Sequence, residues 1–270
     1  MRQVRKENNR EIQWVRSPKP NPRAMLRIFC FPYAGGSDLT FRTWPMELPA
    51  AVEICGVQLP GHGNRFREPL IDRMEPLVNA VTPMLIPYMD RPSAFFGHSM
   101  GALIAFEVAR RLRRDCAPEP ECLFVSGRPA PQVPDTERRT YDLPEPEFLK
   151  ELRRLNGTPR EVLEHPELLQ LTLPIIRADF GLCQNYRYVP DAPLAYPIFA
   201  FGGVDDPEVS LEQLRAWSDQ TTASFSHRLL PGDHFFLISA RAVLLKTLSG
   251  VLEQLIMRQN ANLSASRVMT

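Results

Sequence analysis

The hydrophobic positions of this chain fall into short, nearly continuous apolar runs that alternate with longer stretches of helical character. The runs lie at 26–31, 52–57, 93–96, 122–126 and 198–201, and 225–230 is a candidate for the last of them. Such runs are typical of strands in a parallel sheet that is covered on both faces. The alternation predicts an α/β fold with a doubly wound, mostly parallel sheet, whose ligands bind at the carboxyl ends of the strands.

One segment, 128–188, interrupts this alternation with proline-rich sequence of helical character. Predicted helices cover 146–155 and 166 to about 186, and Pro174 should kink the second one. A helical insertion between two strands of such a sheet is most simply a lid over the ligand site.

The length of the chain, 270 residues, suits one large domain. We predict that this domain covers 12–256, between a disordered tail at 1–11 and a flexible tail at 257–270. There is no internal repeat and no sign of a second domain. Hydrophobic content of 44% and charged content of 23% are those of an ordinary globular protein.

Charge and cysteine content narrow the classes of partner. A net charge of +1 argues against nucleic acid, which usually needs a concentrated basic face. No apolar run approaches the ~20 residues that span a bilayer, and the N-terminus lacks the apolar core of a signal peptide. The five scattered cysteines have no spacing typical of zinc sites and suit a reducing compartment. We therefore expect a cytoplasmic monomer with no metal and no cofactor.

The sequence Gly97-His98-Ser99-Met100-Gly101 lies between a predicted strand and a strong helix former. A G-x-S-x-G on a strand-to-helix turn is the nucleophile elbow of α/β-hydrolases. The glycines allow strand and helix to approach closely, while the serine hydroxyl stands clear of the sheet. The five-residue pattern alone could arise by chance, so its position between these two elements is what makes Ser99 a candidate nucleophile.

A serine nucleophile needs a basic histidine and an orienting carboxylate, in the chain order Ser, Asp or Glu, His. Asp205 and Asp206 follow the apolar run at 198–201, and His234 lies in a turn after the last predicted strand. Only one of the two acids can orient the histidine. We favour Asp206, because its spacing from Gly203 is the common hydrolase one; Asp205 would then face solvent or cap the next helix.

The remaining histidines and one basic run have plainer interpretations. His62 lies in a glycine-containing turn, and His98 should support the elbow. His165 should be a surface residue of the lid, and His227 a partly buried strand residue. The arginines from Arg110 to Arg114 end a predicted helix, where cations complement the helix dipole, so we interpret them as a solvated helix end.

Acyl transfer also needs hydrogen-bond donors for the oxyanion. The backbone N–H of Met100, directly after the nucleophile, is one candidate. The second should come from the glycine-containing loop 31–37, where Pro32 has no N–H, so that Tyr33 or Ala34 must supply it; we favour Ala34. A phosphate-binding loop is the alternative, but this loop lacks both G-x-G-x-x-G and a P-loop lysine.

Several blocks together resemble the type II (external, editing) thioesterases of nonribosomal peptide and polyketide synthesis, which are α/β-hydrolases. The resemblance covers roughly residues 12–256 and is specific, because ordinary esterases share only the elbow and the order of the triad. The blocks lie at 29–37, 58–61, 97–101, 155–180, 202–209 and 232–237.

The resemblance implies a substrate that composition could not reveal. This is an acyl or aminoacyl group held as a thioester on the phosphopantetheine arm of an acyl or peptidyl carrier protein domain. Hydrolysis of such groups would edit or release aberrant intermediates, through Ser99, His234 and Asp206 and an acyl-enzyme. An esterase or acyltransferase acting on free small molecules is one alternative, and a catalytically silent carrier-binding module is another.

The chain departs from the family pattern at two positions. The family often has arginine where His62 stands, and we expect this change to affect local surface contacts more than chemistry. It usually has glycine where Asp233 precedes the histidine. An inward carboxylate there would raise the pKa of His234, although we expect Asp233 to point outward into solvent.

Overall fold

A computed structural model describes residues 13–134 and 139–268. The expected tail at 1–11 lies outside the described residues. The domain is built on a seven-stranded sheet in the order β1-β3-β2-β4-β5-β6-β7. The strands are β1 (Val15–Arg16), β2 (Leu26–Phe31), β3 (Val52–Val57), β4 (Ser93–His98), β5 (Cys122–Ser126), β6 (Ile198–Gly203) and β7 (Phe225–Leu230).

The six predicted strands are present, and all of them pair in parallel. The doubly wound, mostly parallel α/β-hydrolase sheet is thereby confirmed. The strand that the sequence did not predict is β1, which pairs antiparallel with β3 through only two residues. A two-residue strand is too short to show any hydrophobic period, so no pattern could have indicated it.

Helices cover both faces of the sheet. They are α1 (Met74–Leu85), α2 (Met100–Arg114), α3 (Glu145–Leu155), α4 (Arg160–Glu164), α5 (Pro166–Gln184), α6 (Leu211–Arg215), α7 (Phe236–Ser239) and α8 (Arg241–Val268). The helix α8 continues past residue 256, where the sequence predicted the start of a tail, and reaches Val268.

Alternating residues of the central strands supply two separate cores. In β2, Phe29 and Phe31 pack on one side with residues of α1 and α2. Ile28 and Cys30 point to the other side and pack with residues of α8. Successive side chains of a strand point to opposite faces, so a continuous apolar run is what a sheet buried on both faces requires.

The insertion between β5 and β6 carries the two predicted helices, α3 and α5, and between them the short helix α4, which the sequence did not predict. It has a small core of its own, formed by Phe148, Leu152, Leu173 and Ile176. The helix α5 continues through Pro174. We call α3–α5 the helical insertion below.

The catalytic loops predicted from the sequence all follow parallel strands. Loop 32–37 follows β2, Ser99 follows β4, Asp206 follows β6 and His234 follows β7. The carboxyl ends of parallel strands meet at one edge of the sheet, so the topology alone places these four segments side by side.

Candidate active site

Ser99 occupies a strained turn between β4 and α2. Its φ of 52° and ψ of −115° lie in a region that side-chain-bearing residues seldom adopt. The backbone N–H of Ser99 donates to the carbonyl oxygen of Ser126 at the end of β5, 2.7 Å away. The neighbouring strand β5 therefore holds the turn in place at the carboxyl end of β4.

The two glycines of the motif are needed for close packing around this turn. A Cβ on Gly97 would lie 2.1 Å from the Gly101 carbonyl oxygen. A Cβ on Gly101 would lie 2.1 Å from the Phe31 carbonyl oxygen, at the end of β2. Both obstacles are backbone atoms, which cannot rotate away, so any larger residue would force the elbow and the loop after β2 apart.

His234 and Asp206 form a hydrogen-bonded pair next to the elbow. The Nδ1 of His234 lies 2.9 Å from Oδ2 of Asp206, whose side chain is fully buried. The other carboxylate oxygen, Oδ1, accepts the backbone N–H of Glu208 at 2.8 Å. An Nδ1–H that donates to a carboxylate leaves Nε2 of a neutral imidazole free to accept a proton.

The structure brings Asp206, and not Asp205, to the histidine. Asp205 is exposed, and its backbone N–H donates to the Gly232 carbonyl oxygen. The two acids are adjacent in sequence, but they point in different directions at the end of β6. The spacing from Gly203 therefore indicated the residue that contacts His234.

A cavity of about 510 Å³ lies between the sheet edge and the helical insertion. Ser99, His234, Tyr33 and Ala34 all line it, together with residues of the insertion such as Ile176. Ligand pockets of proteins commonly have volumes of about 300–1,000 Å³. The predicted nucleophile, base and oxyanion loop therefore face one space large enough for a small organic group.

The loop after β2 has a defined backbone conformation. The Gly36 N–H donates to the Tyr33 carbonyl oxygen at 2.8 Å, and the Gly35 N–H donates to Oδ2 of Asp179 at 2.7 Å. These two N–H groups are occupied, and Pro32 has none, so Tyr33 and Ala34 stay as the candidate oxyanion donors of this loop. Met100 is the first residue of α2, where N–H groups have no partner within the helix.

His98 is completely buried behind the site. Its Nδ1 lies 2.9 Å from the Ser126 hydroxyl, and its ring centroid lies 5.3 Å from that of His234. Burial, together with the neighbouring charge of His234, holds the pKa of His98 well below its ordinary value. His98 is therefore a neutral packing partner of the elbow, in the position predicted for it.

Three expectations about surface residues are wrong. His62 is buried, with only 5% of its surface exposed, and its ring contacts Asp179 instead of solvent. Arg110 is buried as well and forms an ion pair with Glu107, so the basic run is not simply a solvated helix end. His227 is exposed on the edge strand β7, not partly buried.

Asp233 is half-buried instead of fully solvated, as it was expected to be. Its Oδ1 accepts the Phe235 N–H at 2.9 Å, and its Oδ2 lies 3.4 Å from the side-chain nitrogen of Asn156 in the helical insertion. A Cβ on Gly157 would lie 2.0 Å from the Phe235 ring, so the insertion packs directly on the histidine loop. His165, in contrast, is exposed as predicted.

Sequence reasoning did not single out Asp179 as a residue of the site. It lies on α5, 2% exposed, and contacts both the oxyanion loop and His62. No local pattern marks it, because its partners lie 144 and 117 residues away in the chain.

The part of the chain that the structure describes shows no group of three His, Cys, Asp or Glu side chains placed to hold a metal ion. Nor does any helix in that part have the length and apolar character to cross a membrane.

Comparison with known proteins agrees with this geometry. The family model of the thioesterase domain matches residues 26–252. The gramicidin S biosynthesis protein GrsT of Aneurinibacillus migulanus is 44% identical over 229 residues, which are 85% of this chain and 90% of that protein.

Two solved structures show the same fold. The RedJ thioesterase from the prodiginine biosynthetic pathway in Streptomyces coelicolor is 42% identical, with a TM-score of 0.79, covering 84% of this chain and 85% of that one. The type II thioesterase BorB from the borrelidin biosynthetic cluster is 36% identical, with a TM-score of 0.80, covering 88% and 96%. The chain therefore belongs to the thioesterase domain family, and it is a serine-type α/β-hydrolase that hydrolyses thioesters.

Proposed function

We propose that this enzyme is a type II thioesterase that removes acyl or aminoacyl groups from carrier protein domains of a nonribosomal peptide or polyketide synthase. The observation that carries the proposal is the Asp206–His234 pair, which faces the same cavity as Ser99 and residues of the helical insertion. The similarity of this chain to the gramicidin S biosynthesis protein GrsT and to the type II thioesterase BorB of the borrelidin biosynthetic cluster supports the choice of substrate.

In the proposed mechanism His234 removes the proton of Ser99, and Ser99 Oγ attacks the thioester carbonyl carbon. Asp206 holds the Nδ1–H of His234, so that Nε2 faces the serine, and stabilises the imidazolium that forms. The N–H groups of Met100 and Ala34 would bind the oxyanion of the tetrahedral intermediate. His234 then protonates the leaving thiol, and afterwards activates water to hydrolyse the acyl-enzyme.

The helical insertion would act as the lid of this site. Its Gly157 and Asn156 contact the histidine loop, and its Asp179 contacts the oxyanion loop. The phosphopantetheine arm belongs to the substrate, so the chemistry requires no cofactor of the enzyme. The monomeric state, the cytoplasmic location and the lack of a nucleic-acid partner stay predictions.

The first experiment is Ser99→Ala, with Ser226→Ala as its matched control. Ser226 is exposed on β7, away from the elbow. Ser99→Ala should keep the circular dichroism spectrum of the wild type and lose hydrolysis of an acyl carrier protein substrate, whereas Ser226→Ala should retain both. Near-normal turnover by folded Ser99→Ala would contradict the mechanism.

A second experiment tests the substrate class. Turnover of one acyl group should be compared on a carrier protein, on coenzyme A and on a simple aryl ester. The proposal expects the highest kcat/KM on the carrier protein, whereas preference for the aryl ester would favour an esterase of free small molecules. A failure of fluorophosphonate to label Ser99 would favour a catalytically silent carrier-binding module.

A further inference from the structure

A buried ionic contact joins three segments that are far apart in sequence. The carboxylate of Asp179, on α5, lies 2.7 Å from the Gly35 N–H and 2.9 Å from Nε2 of His62, both through Oδ2. Gly35 belongs to the loop after β2, and His62 to the turn after β3. Asp179 and His62 are 2% and 5% exposed, so solvent hardly competes for these hydrogen bonds.

The Gly35 contact determines how the oxyanion loop is oriented. The turn Tyr33–Gly36 is closed by the Gly36 N–H, and Gly35, at its third position, has a φ of +73°. Ala34, at the second position, is not among the residues of positive φ in the described chain. This combination is a type II turn, which differs from type I mainly in the direction of its central peptide.

That central peptide joins Ala34 to Gly35. Because Asp179 accepts its N–H, the carboxylate stabilises the type II orientation against the flipped one. The side chain of Ile176, one turn earlier on α5, packs against the same residue, since a Cβ on Gly35 would lie 3.0 Å from its Cγ1. The helix α5 therefore supports the turn that carries the candidate donor Ala34, by packing and by a charged hydrogen bond.

The environment of His62 requires both of its ring nitrogens to carry hydrogen. Nδ1 lies 2.9 Å from the Pro60 carbonyl oxygen, and Nε2 lies 2.9 Å from the Asp179 carboxylate. Both partners are acceptors in these contacts, so both nitrogens must donate, and the ring that satisfies them is the imidazolium.

The groups around His62 favour this charged state of its ring. Burial lowers the pKa of His62, but the Asp179 carboxylate and the Pro60 carbonyl outweigh burial and raise it above its ordinary value. Arg65, from the same turn, acts in the opposite direction, although its guanidinium is itself bound by Glu68.

We infer that His62 and Asp179 form a positioning pair, in which the His62 imidazolium holds the Asp179 carboxylate and the carboxylate holds the oxyanion loop. The inference rests on the proposed function, because it concerns the same active site. Neither residue touches the reacting atoms, so both act through the position of the Ala34 N–H. Because Asp179 lies on α5, the oxyanion loop is held in this conformation only when α5 packs against it.

The pair should give the enzyme an alkaline limit of activity that depends on the charge of His62. When His62 loses its charge, its ring can donate to Asp179 or to Pro60 but not to both. The turn then loosens and kcat declines. In His62→Gln the side-chain amide can donate to Asp179 only, and it does not titrate, so this variant should behave like the wild type at high pH.

The kinetic test uses an acyl thioester of N-acetylcysteamine, which contacts the lid less than a carrier protein would. Below the pKa of His62, the wild type should exceed His62→Gln about threefold to tenfold in kcat, and the ratio should approach one as the pH rises. KM should change less than twofold. The matched control His165→Gln, the same substitution at an exposed position of the insertion, should leave the pH profile unchanged.

Asp179→Leu removes the acceptor altogether and should lower kcat by about 100-fold, the loss expected when a reacting group is displaced by about 1 Å. If this variant does not fold, Asp179→Asn keeps an oxygen for Gly35 and removes the charge. Adding His62→Gln to Asp179→Asn should then change kcat by a factor that does not depend on pH. A ratio that stays constant from pH 6 to pH 10, or a loss that appears only in KM, would overturn the inference.

Nuclear magnetic resonance separates this inference from the proposed function, because it needs no turnover. In the wild type at pH 6 both ring nitrogens of His62 should have the chemical shifts of protonated nitrogen, and the Gly35 amide should exchange slowly with solvent. Asp179→Leu should speed that exchange. Neutral His62 or an unprotected Gly35 amide would refute the pair, whereas loss of thioester hydrolysis alone would count against the proposed function.

Discussion

Replacement of Gly101 by alanine should damage the elbow far more than the same change elsewhere in a helix. A Cβ at this position would lie 2.1 Å from the Phe31 carbonyl oxygen and 2.7 Å from that of Pro32. Ordinary contact begins near 3.4 Å, so the helix α2 and the end of β2 must separate by about 1.3 Å. Overpacking of this kind costs about 1–3 kcal/mol, and the upper end applies here because both obstacles are backbone.

Gly250→Ala is the matched control, because Gly250 also lies in a helix, but a Cβ added to it would have nothing within 4 Å. Both substitutions gain up to about 1 kcal/mol of helix propensity. The difference between the two variants therefore isolates the strain, which we expect to be about 3 kcal/mol, or roughly 6 °C in Tm for a domain of this size.

Activity should follow stability in this comparison. Phe31 and Pro32 lead directly into the oxyanion loop, so a displacement of about 1 Å should lower kcat by about 100-fold in Gly101→Ala. Gly250→Ala should keep the kcat of the wild type and a slightly higher Tm. Thermal unfolding by circular dichroism and thioester hydrolysis measure the two effects. Equal Tm and equal kcat for the two variants would refute the close-packing argument.

Three further predictions concern single side chains. Asp206→Asn should lower kcat by about 10⁴-fold with its fold retained, whereas Asp205→Asn should stay within twofold of the wild type. Equal losses of kcat in steady-state kinetics would contradict the assignment of Asp206 as the partner of His234. The pKa of His62 is raised in the folded state above its ordinary 6.5, so its stabilising effect is complete below pH 6.5 and is lost as the pH rises through the folded pKa. The unfolding free energy of the wild type relative to His62→Gln should therefore decline over that range in denaturant titrations, and a difference that grows with pH would reverse the assigned sign. Cys116 is exposed, whereas the thiols of Cys30, Cys55 and Cys122 are buried. When the native protein is treated with iodoacetamide at pH 8, mass spectrometry should therefore find Cys116 modified well before the buried thiols. Equal rates of modification would show that burial does not protect those thiols.

The parts of the fold that the sequence predicted are those that depend on local pattern. Continuous apolar runs identified five parallel strands, because burial of both sheet faces requires them. The sixth, β7, is polar and largely exposed, and its sequence made it only a candidate. The elbow was predictable because a strained serine turn needs glycine two residues before and after it. The order of Ser99, Asp206 and His234 then placed each of them after a strand, and parallel strands bring such positions to one edge.

The direction of neighbouring side chains was only partly predictable. The spacing from Gly203 favoured Asp206 over Asp205, but the path of the backbone after β6 is what buries Asp206 against His234 and leaves Asp205 exposed. The end of α8 at Val268 was also not predicted, because the sequence there carries no clear helix stop and its apolar pattern weakens.

Contacts between segments far apart in the chain became visible only in the folded molecule. His62 looked like a surface substitution within a turn, yet its ring is buried against Asp179, 117 residues away. The chemistry of the site could be deduced from the sequence alone, because nucleophile, acid and base each carry a local signature at the end of a strand. The support of the oxyanion loop depends instead on tertiary packing. The hydrogen bond from the Gly35 N–H to Asp179 forms only because α5, which is distant in sequence, packs next to this loop.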